Sequence, residues 1–398
     1  MEKKSKSTKE TKEYSLLSRR NFLAGTVAAV GAAVLHNPLG AAENPLIKNE
    51  NPPPSRNAEM PIIDVHRHCQ WTSSDPMEKI MENTFREKVG WRKHTSGETI
   101  TVEGISVISY PELTDIDLQV QKQDEAGVTM SLLSNSMLLE LLCRELSFLP
   151  EADVSQSVND KTAALVAKHP KKLAFMAMVN PLRNDSLDEC DRCLNKLGAK
   201  GVNISTSWHG EYLDSDHLNP FWEYAQARDV AVYLHPPLIP IGYRKMNRYR
   251  LEEVIGRPFD TTMTIARMIY SGVFDRYPKL KVVLPHMGGG LPSVIGRLDF
   301  GYRLGYDGLP KGEEAVCKKK PSDYLKTNLY VDCMGFSPAG VRHCLDLFGV
   351  DRVMFGTDYG PVTISPKEHI QIIKNLGLSR EDEAKIFWKN ANKLFHVL

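Results

Sequence analysis

Neither sign of charge dominates this sequence: 50 Lys and Arg stand against 49 Asp and Glu, a net charge of +1 over 398 residues. That excludes a chain drawn to nucleic acid or anionic membrane by its overall field. Cysteine is scarce and odd in number, seven in all, so a disulfide framework does not hold the fold together. Apolar runs of about 20 residues, the length that crosses a bilayer, are missing. Disorder is excluded as well, because 42% apolar against 25% charged residues, with 27 Gly and 24 Pro, supplies an ordinary globular core.

What is present begins with a leader. Residues 1–20 are polar and Lys-rich, and Ser18-Arg19-Arg20-Asn21-Phe22-Leu23 opens a mildly apolar run from Phe22 to Leu35 that ends near Gly40-Ala41-Ala42. This is the layout of a twin-arginine signal over 1–42, with cleavage after Ala42, partnership with the twin-arginine export machinery and the periplasm as destination. That route carries protein that is already folded. Residues 43–60, with Pro52-Pro53-Pro54, read as an extended linker.

From 61 to 398 the pattern alternates. Short β-rich runs recur at Ile62–His66, Val128–Leu133, Leu173–Val179, Gly201–Ser205, Val230–His235, Val282–His286, Asn328–Asp332 and Val353–Asp358. Helical patterns such as Ser155–Lys168, Leu187–Leu197, Thr261–Ser271 and Pro338–Phe348 lie between them. Repeated βα units with no dividing linker predict one domain, an α/β fold of the (β/α)8 TIM-barrel class. Insertions at Trp71–Tyr110, Pro236–Pro258 and Gly305–Ser322 are each expected to follow a strand and build the active-site mouth.

Four of the eight strands end in the same chemistry. In Asp64-Val65-His66-Arg67-His68 the period of two sends His66 and His68 to one side and Arg67 to the other. The fifth run ends in His235, the sixth in His286 before Met287-Gly288-Gly289-Gly290, and the eighth in Asp358. A parallel barrel gathers its carboxyl ends at one rim, so distant residues become neighbours. His66, His68, His235 and Asp358 then form a ligand set suited to a divalent metal ion, Zn²⁺ first, with Mn²⁺, Fe²⁺ or Co²⁺ also acceptable. His286 is left as general acid or base, and Asp358 could bind metal and also take a proton.

The DVHRH opening, His235-Pro236-Pro237, Pro285-His286-Met287-Gly288-Gly289-Gly290 running on to Gly296-Arg297, and Phe355-Gly356-Thr357-Asp358-Tyr359-Gly360-Pro361 resemble the amidohydrolase superfamily. The resemblance is to the branch containing aminocarboxymuconate-semialdehyde decarboxylase and hydroxybenzoate decarboxylases, and it covers 61–398. It implies the same four ligands, His286 as the acid/base residue, and Arg297 presented to a substrate carboxylate across a subunit interface, hence a homodimer. The implied activity is non-oxidative decarboxylation of a small aromatic or muconate-type carboxylic acid. A metal-dependent hydrolase of a lactone, amide or ester is the rival reading, favoured by the periplasmic address and by Pro237, where the branch carries an aromatic residue. A second carboxylate-binding Arg expected in the first long loop has no clear counterpart, Arg86 and Arg92 being merely nearby. Binuclear members of the superfamily carry a carboxylated Lys at the end of the fourth strand; here that strand ends in Ser205-Thr206 with Lys200 at its start, so the resemblance implies one metal ion rather than two.

Weaker features take bland readings. Asp332, at the end of the seventh strand, reads more readily as a capping or loop residue than as a substrate contact. Cys190-x-x-Cys193 lies in a helical stretch without a second pair, His209 beside Trp208 reads as solvent-facing, and Arg244, Lys245, Arg248 and Arg250 read as a solvated charge run.

Overall fold

Apolar residues, many of them β-branched, cluster in eight short runs bounded by Gly, Pro or polar residues, and each becomes a strand. In the computed structural model these are β1 (Ile63–Arg67), β2 (Met130–Leu133), β3 (Leu173–Phe175, continued by Ala177–Met178), β4 (Val202–Ser205), β5 (Ala231–His235), β6 (Lys281–Leu284), β7 (Leu329–Asp332) and β8 (Val353–Met354). The structure describes residues 60–398 apart from 70–89, 95–96, 103–104, 110, 146–149 and 305–313, and it describes no side chains for 90–109, 138, 144 and 145. The leader at 1–42 and the linker up to residue 59 lie outside the described residues.

Neighbouring strands pair in parallel and in chain order. β3 changes partner at Met176, its first part pairing with β2 and its second with β4. The ring closes where Val65 N–H donates to the Phe355 carbonyl at 3.0 Å and Asp358 N–H to the His66 carbonyl at 2.8 Å. Parallel pairing requires long crossovers. They are supplied by helices that include Ile116–Ala126, Glu151–Lys168, Ser186–Arg192, Asn219–Ala227, Arg257–Tyr270, Leu291–Leu304 and Pro338–Phe348. The architecture is the expected eightfold barrel.

The period of two divides the apolar residues into an inner and an outer core. Ile63, Val65, Leu132, Met176, Tyr233, Val283, Tyr330 and Met354 point inward, packed with Ala391, Leu394 and Phe395 of the last helix, Asn390–Phe395. Leu133, Phe175, Val232, Leu234, Val282, Leu284, Val331 and Val353 point outward to the helices. Phe395 lies only 3.0 Å from where a Cβ on Gly201 would stand, just before β4. It therefore plugs the strands' amino ends and leaves the carboxyl ends for chemistry.

Three expectations change. β6 and β8 stop at Leu284 and Met354, so His286 and Asp358 lie beyond the strands in left-handed backbone, with φ of +52° and +56°. The Gly305–Ser322 insertion does not follow a strand: helix Leu291–Leu304 precedes it and β7 follows it, which assigns it to a helix-to-strand connection. The Trp71–Tyr110 insertion contains a three-stranded antiparallel sheet, Gly90–His94, Gly97–Val102 and Ile105–Ser109, that the reading did not foresee. Its signal was legible in the β-branched runs Thr99–Val102 and Ile105–Ile108.

Truncating the floor plug should be costly. Phe395→Ala is expected to lower stability by about 3–5 kcal/mol, read as a lower urea midpoint. An unchanged midpoint would show that the last helix does not seal the barrel.

Candidate metal centre

Val65 belongs to the inner core, so strict alternation would turn His66 outward. One extra residue prevents this. Asp64 pairs with Ser131 and Arg67 with Leu133, so three steps along β1 match two along β2, and this bulge resets the phase. Arg67 then faces outward as expected, donating to Gln123 Oε1 at 2.9 Å with its guanidinium 5.1 Å from the Tyr359 ring centroid. His235 needs no such device, because it stands two residues after inward Tyr233.

The result is a tight cluster. His68 Nε2 lies 3.2 Å from His66 Nε2 and 3.1 Å from His235 Nε2. Asp358 Oδ1 lies 3.3 Å from His66 Nε2 and 3.1 Å from His68 Nε2. One donor atom from each of these four buried residues falls within 4.8 Å of the others. Left-handed backbone at Asp358 is anchored by its own N–H to His66, and by Thr357, which donates N–H and Oγ1–H to the two Asp64 oxygens at 3.1 and 2.7 Å.

The outer nitrogens settle the tautomers. His68 Nδ1 hydrogen-bonds the Ser134 carbonyl, and His235 Nδ1 the Pro236 carbonyl at 2.9 Å. A carbonyl only accepts, so both Nδ1 atoms carry hydrogen and both neutral rings aim Nε2 lone pairs at the centre. His66 Nδ1 donates to Asp332 Oδ2 at 2.8 Å, and Tyr233 OH donates to the same oxygen at 2.7 Å. Asp332 is thus the orienting partner of a ligand. Its other oxygen accepts Met334 N–H at 3.1 Å, the loop role the sequence suggested.

Charge follows from this packing. Burial disfavours ionisation of Asp358, but His66, His286 and His68 outweigh it and hold the carboxyl well below its usual range. Burial pushes His235 well below its ordinary value and also lowers His68, so both rings are neutral. Burial opposes charge on His66 too, yet the Asp358 and Asp332 carboxylates prevail and hold its pKa up at about 10 for the protein by itself.

Facing lone pairs 3.1 Å apart repel unless a cation lies between them. Donors about 2.1 Å from one ion stand about 3.0–3.4 Å apart at angles of about 90–110°, and the four separations that involve His68 Nε2 or join His66 to Asp358, 3.1–3.3 Å, fall in that range. Three imidazoles and one carboxylate therefore form a metal-binding site. His286 stands beside it, Nε2 at 3.3 Å from Asp358 Oδ2, and its buried Nδ1 has no hydrogen-bond partner among the described residues. Arg297 is not brought in: it is exposed on helix Leu291–Leu304 and forms no ion pair among the described residues. Arg86 and the side chain of Arg92 lie outside the described residues. Lys200 is exposed before β4, away from the carboxyl rim. Cys190 and Cys193 are buried in the helical stretch. Sequence reading missed Asp64, Tyr233 and the bulge; Asp64 sits in the opening motif, whereas Tyr233 looks like any core aromatic.

The amidohydrolase family model matches residues 63–397, and the chain belongs to that family. It is 32% identical over 209 residues to 2-amino-3-carboxymuconate-6-semialdehyde decarboxylase of Dictyostelium discoideum, which covers 52% of this chain and 56% of that relative. It is 29% identical over 338 residues to gamma-resorcylate decarboxylase of Polaromonas sp., covering 78% of this chain and 98% of that one. Among solved structures, 5-carboxyvanillate decarboxylase of Novosphingobium aromaticivorans with bound manganese superposes with a TM-score of 0.72 at 22% identity, covering 85% of this chain and 97% of that one. Dihydroxybenzoic acid decarboxylase of Polaromonas sp., with manganese and the inhibitor 2-nitroresorcinol, gives 0.65 at 25%, covering 85% and 98%.

Asp332→Asn should weaken metal binding about 10–100-fold in chelator competition, because the orienting charge on His66 is lost. Unchanged affinity would demote Asp332. His66 must shed a proton before Nε2 can bind a cation, so uptake should release close to one proton and tighten up to about tenfold per unit as pH rises towards about 10. Calorimetry in buffers of different ionisation heat reads this directly, and pH-independent uptake would contradict the charge assignment.

Proposed function

We propose that the protein is a metal-dependent, non-oxidative decarboxylase of a small aromatic or muconate-type carboxylic acid. The observation that carries this reading is the pairing of His286 with Asp358, which sets an imidazole against the ligand set. Support comes from the relatives, whose names are those of decarboxylases of such acids. Zn²⁺ is our assignment for the ion on the donor chemistry of three imidazoles and one carboxylate, and Mn²⁺, named with two of the related structures, is its main competitor, ahead of Fe²⁺.

The bound ion would supply positive charge that draws an oxygen of the acid into the site and lowers the energy of the electron-rich species. The residues do the rest. Asp358 offers one oxygen to the ligand cluster and the other to His286, so it fixes the imidazole beside the reacting acid. Protonated His286 delivers its proton to the carbon that bears the carboxylate. The bond to the carboxylate then breaks, its electron pair stays with the ring or chain, carbon dioxide leaves, and His286 regains a proton from water. One proton is consumed for each carbon dioxide released.

In this reading the enzyme works in the periplasm after twin-arginine export, and Arg297 of one subunit meets the substrate carboxylate held by its partner in a homodimer. Arg297 shares helix Leu291–Leu304 with exposed Phe300 and Leu304, and the adjacent helix carries exposed Phe259 and Met263, an apolar face suited to such pairing.

Hydroxylated benzoates and muconate-type acids are the test substrates. Carbon dioxide release without release of acid is expected, whereas acid release from lactones without carbon dioxide would assign hydrolysis instead. His286→Asn should retain about one equivalent of metal and lose about 10²–10⁴ in turnover. Retained turnover would move the acid/base role elsewhere.

A further inference from the structure

The connection after β5 carries a cationic side chain that the metal centre does not use. Arg257 opens helix Arg257–Tyr270. Its Nη2 reaches the Leu238 carbonyl at a long 3.4 Å, its Nε is buried with no hydrogen-bond partner, and it forms no ion pair among the described residues. Nearby carboxylates are engaged elsewhere. Glu253 pairs with Arg250, and Asp260 accepts from Thr206, Ser207 and the Ile241 N–H. Glu252 is buried with one oxygen unpartnered, yet it too makes no ion pair with Arg257.

Position gives this guanidinium meaning. Leu238 lies three residues past the ligand His235. On the other side, a Cβ on Gly289 would overlap the Pro258 carbonyl, and Gly290 N–H donates to Thr262 Oγ1 at 2.7 Å. The start of the helix is therefore wedged between the connection that carries His235 and the turn that carries His286. Burial lowers the basicity of Arg257, and the fields of Glu253 and Asp358 act against that loss, which puts it within electrostatic reach of the ligand cluster. Unmet guanidinium donors form a planar fork that matches a carboxylate.

We propose that Arg257 is the residue that recognises the substrate's carboxylate from within the same chain, a specificity-determining role that rests on the decarboxylase reading. Because the contact forms with the bound acid and persists to the transition state, it governs affinity more than rate.

The test is calorimetric and needs no turnover. Metal-loaded wild-type protein is titrated with salicylate and with its neutral analogue salicylamide, and both titrations are repeated on R257Q and R257K. Wild type is expected to bind salicylate more tightly than the amide. R257Q should weaken salicylate at least tenfold, leave salicylamide within about twofold and keep metal content and melting temperature; R257K should fall between. For acids that are turned over, KM should rise with kcat little changed. Equal weakening of both ligands, salicylate binding indifferent to R257Q, or no preference for salicylate in wild type would each overturn the proposal. Should R257Q fail to fold, R257K decides alone: salicylate weakened with salicylamide spared supports the role, and any other pattern overturns it. Failure of the decarboxylase reading is a separate result, the absence of carbon dioxide from every acid, and leaves the binding comparison legible.

Discussion

Nitrogen lone pairs do not gather willingly, and the fold of this protein is arranged so that they must. Three imidazoles, on β1, just past its end and on β5, aim Nε2 at one point, with Nδ1 of each committed to a fixed acceptor: Asp332, the Ser134 carbonyl and the Pro236 carbonyl. Rotating any ring away would strand a buried donor, at a cost of about 1–3 kcal/mol. Repulsion at the centre is thus sustained by hydrogen bonds at the periphery; the proton on His66 Nε2 relieves part of it in the protein by itself, and the facing lone pairs of His68 and His235 are relieved only by a bound cation. The bulge in β1, the left-handed turns at His286 and Asp358, and the Asp64–Thr357 clasp all serve that one convergence.

Position in the barrel explains why the arrangement is affordable. The inner core and the plug at Phe395 stabilise the amino ends of the strands, so the carboxyl ends can hold polar groups that add little to packing. His286 and Asp358 sit where β6 and β8 have already given up extended backbone. Strained φ values there, about 1–3 kcal/mol each, are tolerated because the surrounding strands are fixed.

Much of this was legible in sequence. The eight strands could be named because Val, Ile, Leu and Tyr cluster between Gly and Pro punctuation, and the ligands because a polar residue closing an apolar strand is conspicuous. What stayed hidden depends on spacing that no local pattern encodes. The bulge before Arg67 shows only in the register against β2, so the inward turn of His66 was inferred from alternation that the backbone in fact breaks and restores. Asp332 looked like a loop residue because its capping bond to Met334 is local, while its bond to His66 spans 266 positions. Gly305–Ser322 was assigned to the wrong side of a helix, since a polar stretch carries no sign of which end of the barrel it crosses. Arg257 escaped notice among the other charges after β5, and only the atoms left unmatched around it single it out.

His66, His68, His235 and Asp358 are predicted to hold one divalent ion together. Anomalous diffraction from crystals of the purified protein, recorded on both sides of the zinc and manganese absorption edges, addresses this most directly. A single peak bonded to Nε2 of the three histidines and to an Asp358 oxygen is the predicted result. A metal-loaded protein whose anomalous peak lies away from these four side chains would show that they do not hold the ion.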